Sequence, residues 1–114
     1  MKKIQLSATF KIHQGKEAAF KDLVPQCISR VKANETGAER YEWYFNSEGT
    51  VCHVLETYAD SKAVLAHVAN VGELLGKAFA ISDFEGDMYG TLSEELKEAI
   101  STLPITCYSL YQAL

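Results

Sequence analysis

The sequence predicts an α+β fold of the ferredoxin-like, split β-α-β type: a four-stranded antiparallel sheet with two helices on one face. Three observations predict it. Residues 3–12 alternate apolar and polar side chains with period two. Residues 16–34 and 61–79 change to the helical period. The periodic segments follow one another as β-α-β-β-α-β, then a short helix and a tail.

In the first strand Ile4, Leu6, Ala8, Phe10 and Ile12 alternate with Lys3, Gln5, Ser7, Thr9 and Lys11. Gly15 breaks that pattern. Phe20, Leu23, Val24, Cys27, Ile28 and Val31 then form one apolar stripe along a helix. Pro25 removes the hydrogen bond to the Lys21 carbonyl and is expected to kink that helix. Gly37 is read as its left-handed stop. Residues 38–46 form the second strand, with Tyr41, Trp43 and Phe45 on one face and Tyr44 on the other. Asn46-Ser47-Glu48-Gly49 is turn chemistry, and residues 50–58 give the third strand. There Val51, His53, Leu55 and Thr57 face away from Cys52, Val54, Glu56 and Tyr58.

Asp60 or Ser61 caps the second helix, whose apolar positions include Val64, Val68, Val71, Leu74, Leu75, Ala78 and Phe79. The fourth strand spans 81–89 and ends at Gly90. Ser93 caps a third helix, with Glu94 and Glu95 where the helix dipole favours anions. Pro104 ends it, leaving an apolar tail with Tyr108 and Tyr111. Residues 1–91 are thus the core domain, and 92–114 a helix and tail that pack on it or on a partner subunit. Large side chains stand on both faces of the second and third strands: Trp43 and Tyr44, Leu55 and Tyr58. The economical cover for the second face is a copy of the same sheet, which predicts a homodimer packed sheet to sheet.

The 114 residues suit one domain, and 47% hydrophobic content suits a globular one. A net charge of −4 argues against nucleic acid and anionic membrane as partners, since both need a positive field. The apolar runs are too short for a membrane span or a secretory leader. Cys27, Cys52 and Cys107 show no metal-ligand spacing and read as reduced, mostly buried thiols of a cytoplasmic protein.

Glu35-Thr36-Gly37-Ala38-Glu39-Arg40-Tyr41 resembles the E-x-G-x-x-x-Y stretch of antibiotic biosynthesis monooxygenase (ABM) domains. Glu56-Thr57-Tyr58-Ala59-Asp60 is similar to that family's strand-three ending, and Ala63 through His67 to its A-x-x-x-H on the second helix. Phe84 through Gly90 resembles its last core strand. The resemblance implies a dimeric α+β barrel. It also implies oxygenation of a phenolic, quinol or anthrone-type aromatic without flavin, haem or metal. The family also contains haem-degrading members. There, as the resemblance aligns them, a tryptophan takes the His67 place and the haem-ligating histidine falls at Lys77; the expected asparagine is missing from Ile4-Gln5-Leu6-Ser7. Haem chemistry is therefore disfavoured. The second histidine often found on that helix is also absent, with Val71-Gly72 in its place.

His67 leads the candidate residues, because it shares a helix stripe with Val64, Val71 and Leu74 and an imidazole suits proton transfer with a phenol. The competing reading is a core histidine bonded to a carbonyl or carboxylate. His53 is the weaker catalytic candidate, with packing at the dimer interface as its competing role. Glu56, on the face opposite His53, is either a site residue or an interface ion pair, with Arg40 as a candidate partner. Tyr41, Trp43 and Tyr58 are candidate walls for an aromatic substrate, and the Trp43 indole N–H is a donor for its oxygen. The rival to an enzyme is a non-catalytic dimeric protein of the same fold that binds a small molecule or is purely structural.

Overall fold

The structure, a computed structural model, describes residues 2–114. Its elements are β1 (Ile4–Ile12), α1 (Glu17–Asn34), β2 (Ala38–Phe45), β3 (Val51–Tyr58), α2 (Ser61–Ala80), β4 (Ser82–Tyr89), α3 (Glu94–Ala99) and β5 (Ile105–Tyr108). The ferredoxin-like α+β class holds, with one strand more than the sequence predicts. The sheet order is β2-β3-β1-β4-β5, and β5 joins β4 in parallel. The expected tail after Pro104 therefore begins as an edge strand. The crossover that a parallel pairing requires is supplied by α3. The Gly86 and Gly90 amides donate to the Pro104 and Tyr108 carbonyls, each at 3.0 Å, and fix both ends of that pairing.

The helical stripe read for α1 is buried at Phe20, Leu23, Cys27 and Val31. The helix is continuous through Pro25, whose ring lies on the exposed side. Asp60 caps α2 by accepting from the Ala63 amide at 2.9 Å, and Ser93 caps α3 by accepting from Leu96 at 3.2 Å. Asn46 holds the β2–β3 hairpin, its side-chain oxygen accepting from the amides of Thr50 at 2.9 Å and Val51 at 3.0 Å.

Gly37 is corrected. It is not among the glycines with positive φ, so it is no left-handed stop. A Cβ placed there would come 2.5 Å from the Ala63 Cβ. The position is small because the start of β2 runs directly against the first turn of α2, where the Ala59 amide also donates to the Gly37 carbonyl at 2.9 Å.

Cross-strand register sorts the helix-facing side chains into rows. One row runs Tyr41, Glu56, Leu6, Met88; the next runs Trp43, Val54, Ala8, Gly86; the third runs Phe45, Cys52, Phe10, Phe84. The third row is a packed aromatic floor, with Phe10 at 5.2 Å from Phe20 and 5.1 Å from Phe84 between ring centres. Ile4, Tyr58, Val64, Met88, Leu92, Leu96 and Ile100 form a second apolar cluster at the other end. The middle row is small at its centre, Ala8, and leaves a cavity between the sheet and α2.

Two glycine substitutions test this packing by urea unfolding. Gly37→Ala, which must push Ala63 aside, is expected to cost about 1–3 kcal/mol. Gly76→Ala, in the exposed interior of α2 with nothing near its added Cβ, is expected to stabilise by about 0.5–1 kcal/mol.

Candidate functional site

The cavity has a volume of about 240 Å³. Its floor comes from Leu6, Ala8, Phe10 and Val54 on the sheet, and its roof from Val64, Val68, Gly72 and Leu75 on α2. Ile100, Leu103 and Ile105 supply a further wall from the segment after β4. Polar groups are few: His67 and Glu56, with Tyr41 and Trp43 beside them on β2.

His67 faces the sheet from α2 and is 4% exposed, as its place on the apolar stripe implied. Its Nδ1 meets the carboxylate of Glu35 at 3.2 Å and 3.1 Å. Glu35, the residue that follows α1, turns its side chain inward to 2% exposure. Asn70, one turn beyond His67, donates to Glu35 Oε2 at 2.8 Å and to the Arg30 carbonyl at 3.0 Å. Holding the carboxylate this way places the imidazole proton on Nδ1 and leaves Nε2 as a lone-pair acceptor. No hydrogen-bond partner for Nε2 occurs among the described residues; Glu56 Oε1 stands 3.5 Å away.

Glu56 is buried on the inner face of β3 and accepts a short hydrogen bond from the Tyr58 hydroxyl. Arg40 is not its partner, because Arg40 lies exposed on β2 and binds Glu42 at 2.8 Å. Nor is Glu56 on the outer sheet face that a second copy could cover. Burial, opposed by the Tyr58 hydrogen bond and aided by the nearby Glu35 charge, raises the Glu56 pKa to about 8. Burial lowers the His67 pKa, while the Glu35 charge and hydrogen bond oppose that shift. The 3.5 Å approach of His67 to Glu56 therefore joins two groups that burial favours in their neutral forms, rather than an ion pair.

Tyr41 and Tyr58 both flank the imidazole, each at 5.1 Å between ring centres. Burial, with the neighbouring carboxylate charges, pushes both phenols well above their ordinary range, so they remain donors. Trp43 packs edge-on to Tyr41 at 5.5 Å and stacks over Phe10 at 6.3 Å. Its Nε1 is buried and, among the described residues, has no hydrogen-bond partner.

The structure thus brings together His67, Glu56, Tyr41, Tyr58 and Trp43 and leaves out His53. His53 is exposed on the opposite face of β3, beside Tyr44 and Val51. Of the thiols, Cys27 and Cys52 are kept protonated, since burial raises Cys27 and takes Cys52 to about 12, and Cys107 lies exposed on β5, outside the cavity lining. Among the described residues, no group of three or more His, Cys, Asp or Glu is placed to hold a metal ion. Sequence reasoning missed the roles of Glu35 and Asn70. Asn70 had a signal, since it lies three residues from His67 on one helix face. Glu35 had none in periodicity, because it lies outside the helix and 32 residues away from its partner.

A family model described as antibiotic biosynthesis monooxygenase matches residues 4–72. Among solved structures, MupZ from Pseudomonas fluorescens is similar at 24% identity and a TM-score of 0.86, covering 100% of this chain and 94% of its own. SnoaB, a cofactor-independent oxygenase from Streptomyces nogalater solved as its N63A mutant, matches at 16% identity and a TM-score of 0.67, covering 82% of this chain and 96% of its own. Rv0793 from Mycobacterium tuberculosis matches at 18% identity and a TM-score of 0.69, covering 81% of this chain and 97% of its own. No curated relative matches the sequence significantly. At these identities the solved structures support the fold.

The buried carboxyl generates a pH test. A folded-state pKa near 8 lies above the unfolded value of 4.5, so the unfolded chain releases this proton first as pH rises. The Glu56 contribution to stability is full below pH 4.5 and is lost as pH rises to about 8. His67 acts oppositely: its lowered pKa adds stability that is present above 6.5 and lost as pH falls below it. Stability to urea is expected to fall between pH 6.5 and about 8 by up to about 1.4 kcal/mol per pH unit, and Glu56→Gln is expected to flatten that slope.

Proposed function

The chain belongs to the antibiotic biosynthesis monooxygenase family, and from that premise we propose that it is a cofactor-independent monooxygenase acting on a small phenolic, quinol or anthrone-type aromatic. One observation carries the reading: an apolar cavity whose wall holds a histidine with Nδ1 fixed by a buried carboxylate and Nε2 unpaired. That is the arrangement of a general base with its orienting group.

In this mechanism Nε2 of His67 accepts the hydroxyl proton of the substrate. Glu35 stabilises the imidazolium that forms, as a carboxylate behind a histidine does in hydrolytic triads. The resulting electron-rich anion is itself the reductant for dioxygen. For an anthrone-type methylene, the carbon gains one oxygen atom and becomes a carbonyl, and the second oxygen leaves as water with the two hydrogens. For a quinol ring, one oxygen enters as a hydroxyl, the ring is oxidised to the quinone, and the other oxygen again leaves as water. In both cases the substrate gives up the four electrons that dioxygen takes. His67 returns its proton to the departing oxygen. The apolar lining excludes bulk water, and the neutral Glu56, whose oxygen accepts from Tyr58, presents no competing charge.

The family relationship and the outer sheet face support a homodimer packed sheet to sheet, in the cytoplasm, where Cys27, Cys52 and Cys107 stay reduced. Tyr44, Tyr89 and Tyr108 are large exposed side chains of strands, with Tyr89 stacked on Tyr108 at 5.4 Å between ring centres. His53 belongs to that outer face, as a contact residue of the dimer. No helix among the described residues is long and apolar enough to cross a membrane.

Oxygen uptake with a panel of quinols and anthrones tests the activity, and His67→Ala is expected to reduce turnover about 10²–10⁴-fold. Glu35→Gln is expected to lower kcat and move the acid limb of the rate profile to lower pH, because it removes a charge that raises the His67 pKa. Ligand-induced thermal stabilisation without oxygen uptake would instead establish a binding protein. Sedimentation at micromolar concentration is expected to show a dimer; a monomer would overturn the shared-sheet assembly.

A further inference from the structure

The outer face of the sheet carries two uncovered features at opposite corners. One register row on that face runs Arg40, Thr57, Gln5, Tyr89, Tyr108, and a second, four residues along the strands, runs Tyr44, His53, Thr9, Glu85. At the end of the first row the exposed rings of Tyr89 and Tyr108 stack on each other. At the start of the second row Tyr44, His53 and Val51, with Phe45 and Asn46, enclose a hollow of about 220 Å³. An aromatic ring fits that space, since a cavity of roughly 150 Å³ holds benzene.

The protomer's own rings cannot fill its hollow. Three strand spacings separate β3 from β5, roughly 14 Å, and β5 runs parallel to β4, so the chain beyond Tyr108 heads away from the Tyr44 row. Leu110, Tyr111 and Leu114 follow there with little cover from their own chain. A second copy can fill the hollow. A two-fold axis along the other diagonal of the sheet crosses the strands of the two copies at about a right angle, one of the two ways in which sheets pack face to face. That operation exchanges the corners. It brings Tyr89 over the partner's Tyr44 and Asp87 over the partner's His53, and it carries the tail past the partner's β2 edge. Packing like corners together would instead face one hollow with the other and bury a doubled void, against the close packing of protein interfaces.

We propose that a second copy of this chain docks on the outer face with its strands crossed, so that the Tyr89–Tyr108 stack of each protomer fills the Tyr44–Val51–His53 hollow of the other. This rests on the sheet-to-sheet homodimer given above and supplies its geometry. The two corners cover the exposed rings, and Leu55 meets its own copy near the axis. The middle strand of the face, with Gln5, Ser7 and Thr9, is polar and needs no apolar cover. The two charges are complementary in kind, because the His53 ring N–H is placed to donate to the Asp87 carboxylate. Glu85 also falls near the axis, where its long exposed side chain can turn outward from its copy.

Cross-linking reads this geometry directly. In a Cys107→Ser background, which removes the exposed thiol, Tyr44→Cys and Tyr89→Cys chains are treated with a short bis-maleimide, separately and after mixing to equilibrium. The two positions lie roughly 20 Å apart within one protomer, and in the crossed dimer each is about as far from its own copy. The expected result is a cross-linked dimer from the mixture and none from either variant alone. Cross-links within a single variant would overturn the proposal, as would none from a mixture that sediments as a dimer. Should the cysteine substitutions themselves dissociate the dimer, a charge swap decides the matter with the tyrosines intact. His53→Glu is expected to weaken dimerisation about tenfold by facing Asp87 with a like charge, and adding Asp87→Lys is expected to restore it. His53 and Asp87 stand roughly 12 Å apart on one sheet, so rescue requires contact between copies, and its failure would overturn the proposal. A wild-type chain that sediments as a monomer would remove the homodimer along with this geometry. A wild-type dimer that fails both tests would remove the crossed geometry alone.

Discussion

The contact between Glu35 and His67 organises the interior of this protein. It joins the end of α1 to the middle of α2 across 32 residues, and it sits where neither side chain could remain alone at low cost. The close approach of Gly37 to Ala63 makes it reachable, because the start of β2 must run against the first turn of α2 for Glu35 to turn beneath that helix. Asn70 completes the junction by donating to Glu35 and to the Arg30 carbonyl, so one amide ties the carboxylate to both helices. Backbone packing, side-chain orientation and imidazole tautomer are thus set together.

That arrangement explains how a second carboxyl can lie so close to the first. Two ionised carboxylates around one imidazole would be mutually repulsive and poorly solvated. Burial and the Glu35 charge keep the Glu56 proton in place to about pH 8, and Tyr58 supplies a donor to its oxygen. The cluster then carries its negative charge on the side of His67 away from the cavity, and presents neutral groups to the apolar space. A hydrophobic ligand meets a base there without meeting a bare charge.

Much of the fold was legible in the sequence because its periods are clean. The alternation of Ile4 through Ile12 and the stripe from Phe20 to Val31 each have one physical reading. β5 was not legible: four residues after a proline carry too little pattern, and their strand conformation depends on the edge that β4 offers. Gly37 was misread because the sequence shows a glycine after a helix but not the neighbouring Ala63 that demands it. At the site, strand alternation placed Tyr41 with Trp43 and separated Glu56 from His53. It could not choose a partner for Glu56. That choice depends on which sheet face the helices cover, and Arg40 proved to lie on the exposed strand surface.

The division of the cavity between segments has a consequence for specificity. Glu35, Tyr41, Trp43, Glu56, Tyr58 and His67 all fall within the stretch that matches the family, residues 4–72. Apolar floor and roof residues such as Leu6, Ala8, Val54 and Val64 lie in that stretch too, and the lining beyond it, from Leu75 and Phe79 through Phe84 and Met88 to Ile100, Leu103 and Ile105, is apolar throughout. MupZ is similar over the whole chain, whereas SnoaB covers 82% of it. The polar groups therefore all lie in the matched stretch, whereas the apolar shape of the pocket comes from both parts of the chain. Changes in α3 and β5 can alter the volume offered to an aromatic ring while leaving the Glu35–His67 pair untouched. β5 extends the sheet edge, and its Tyr108 stacks on Tyr89 at the outer face, so changes there also reach the surface on which a second copy would pack.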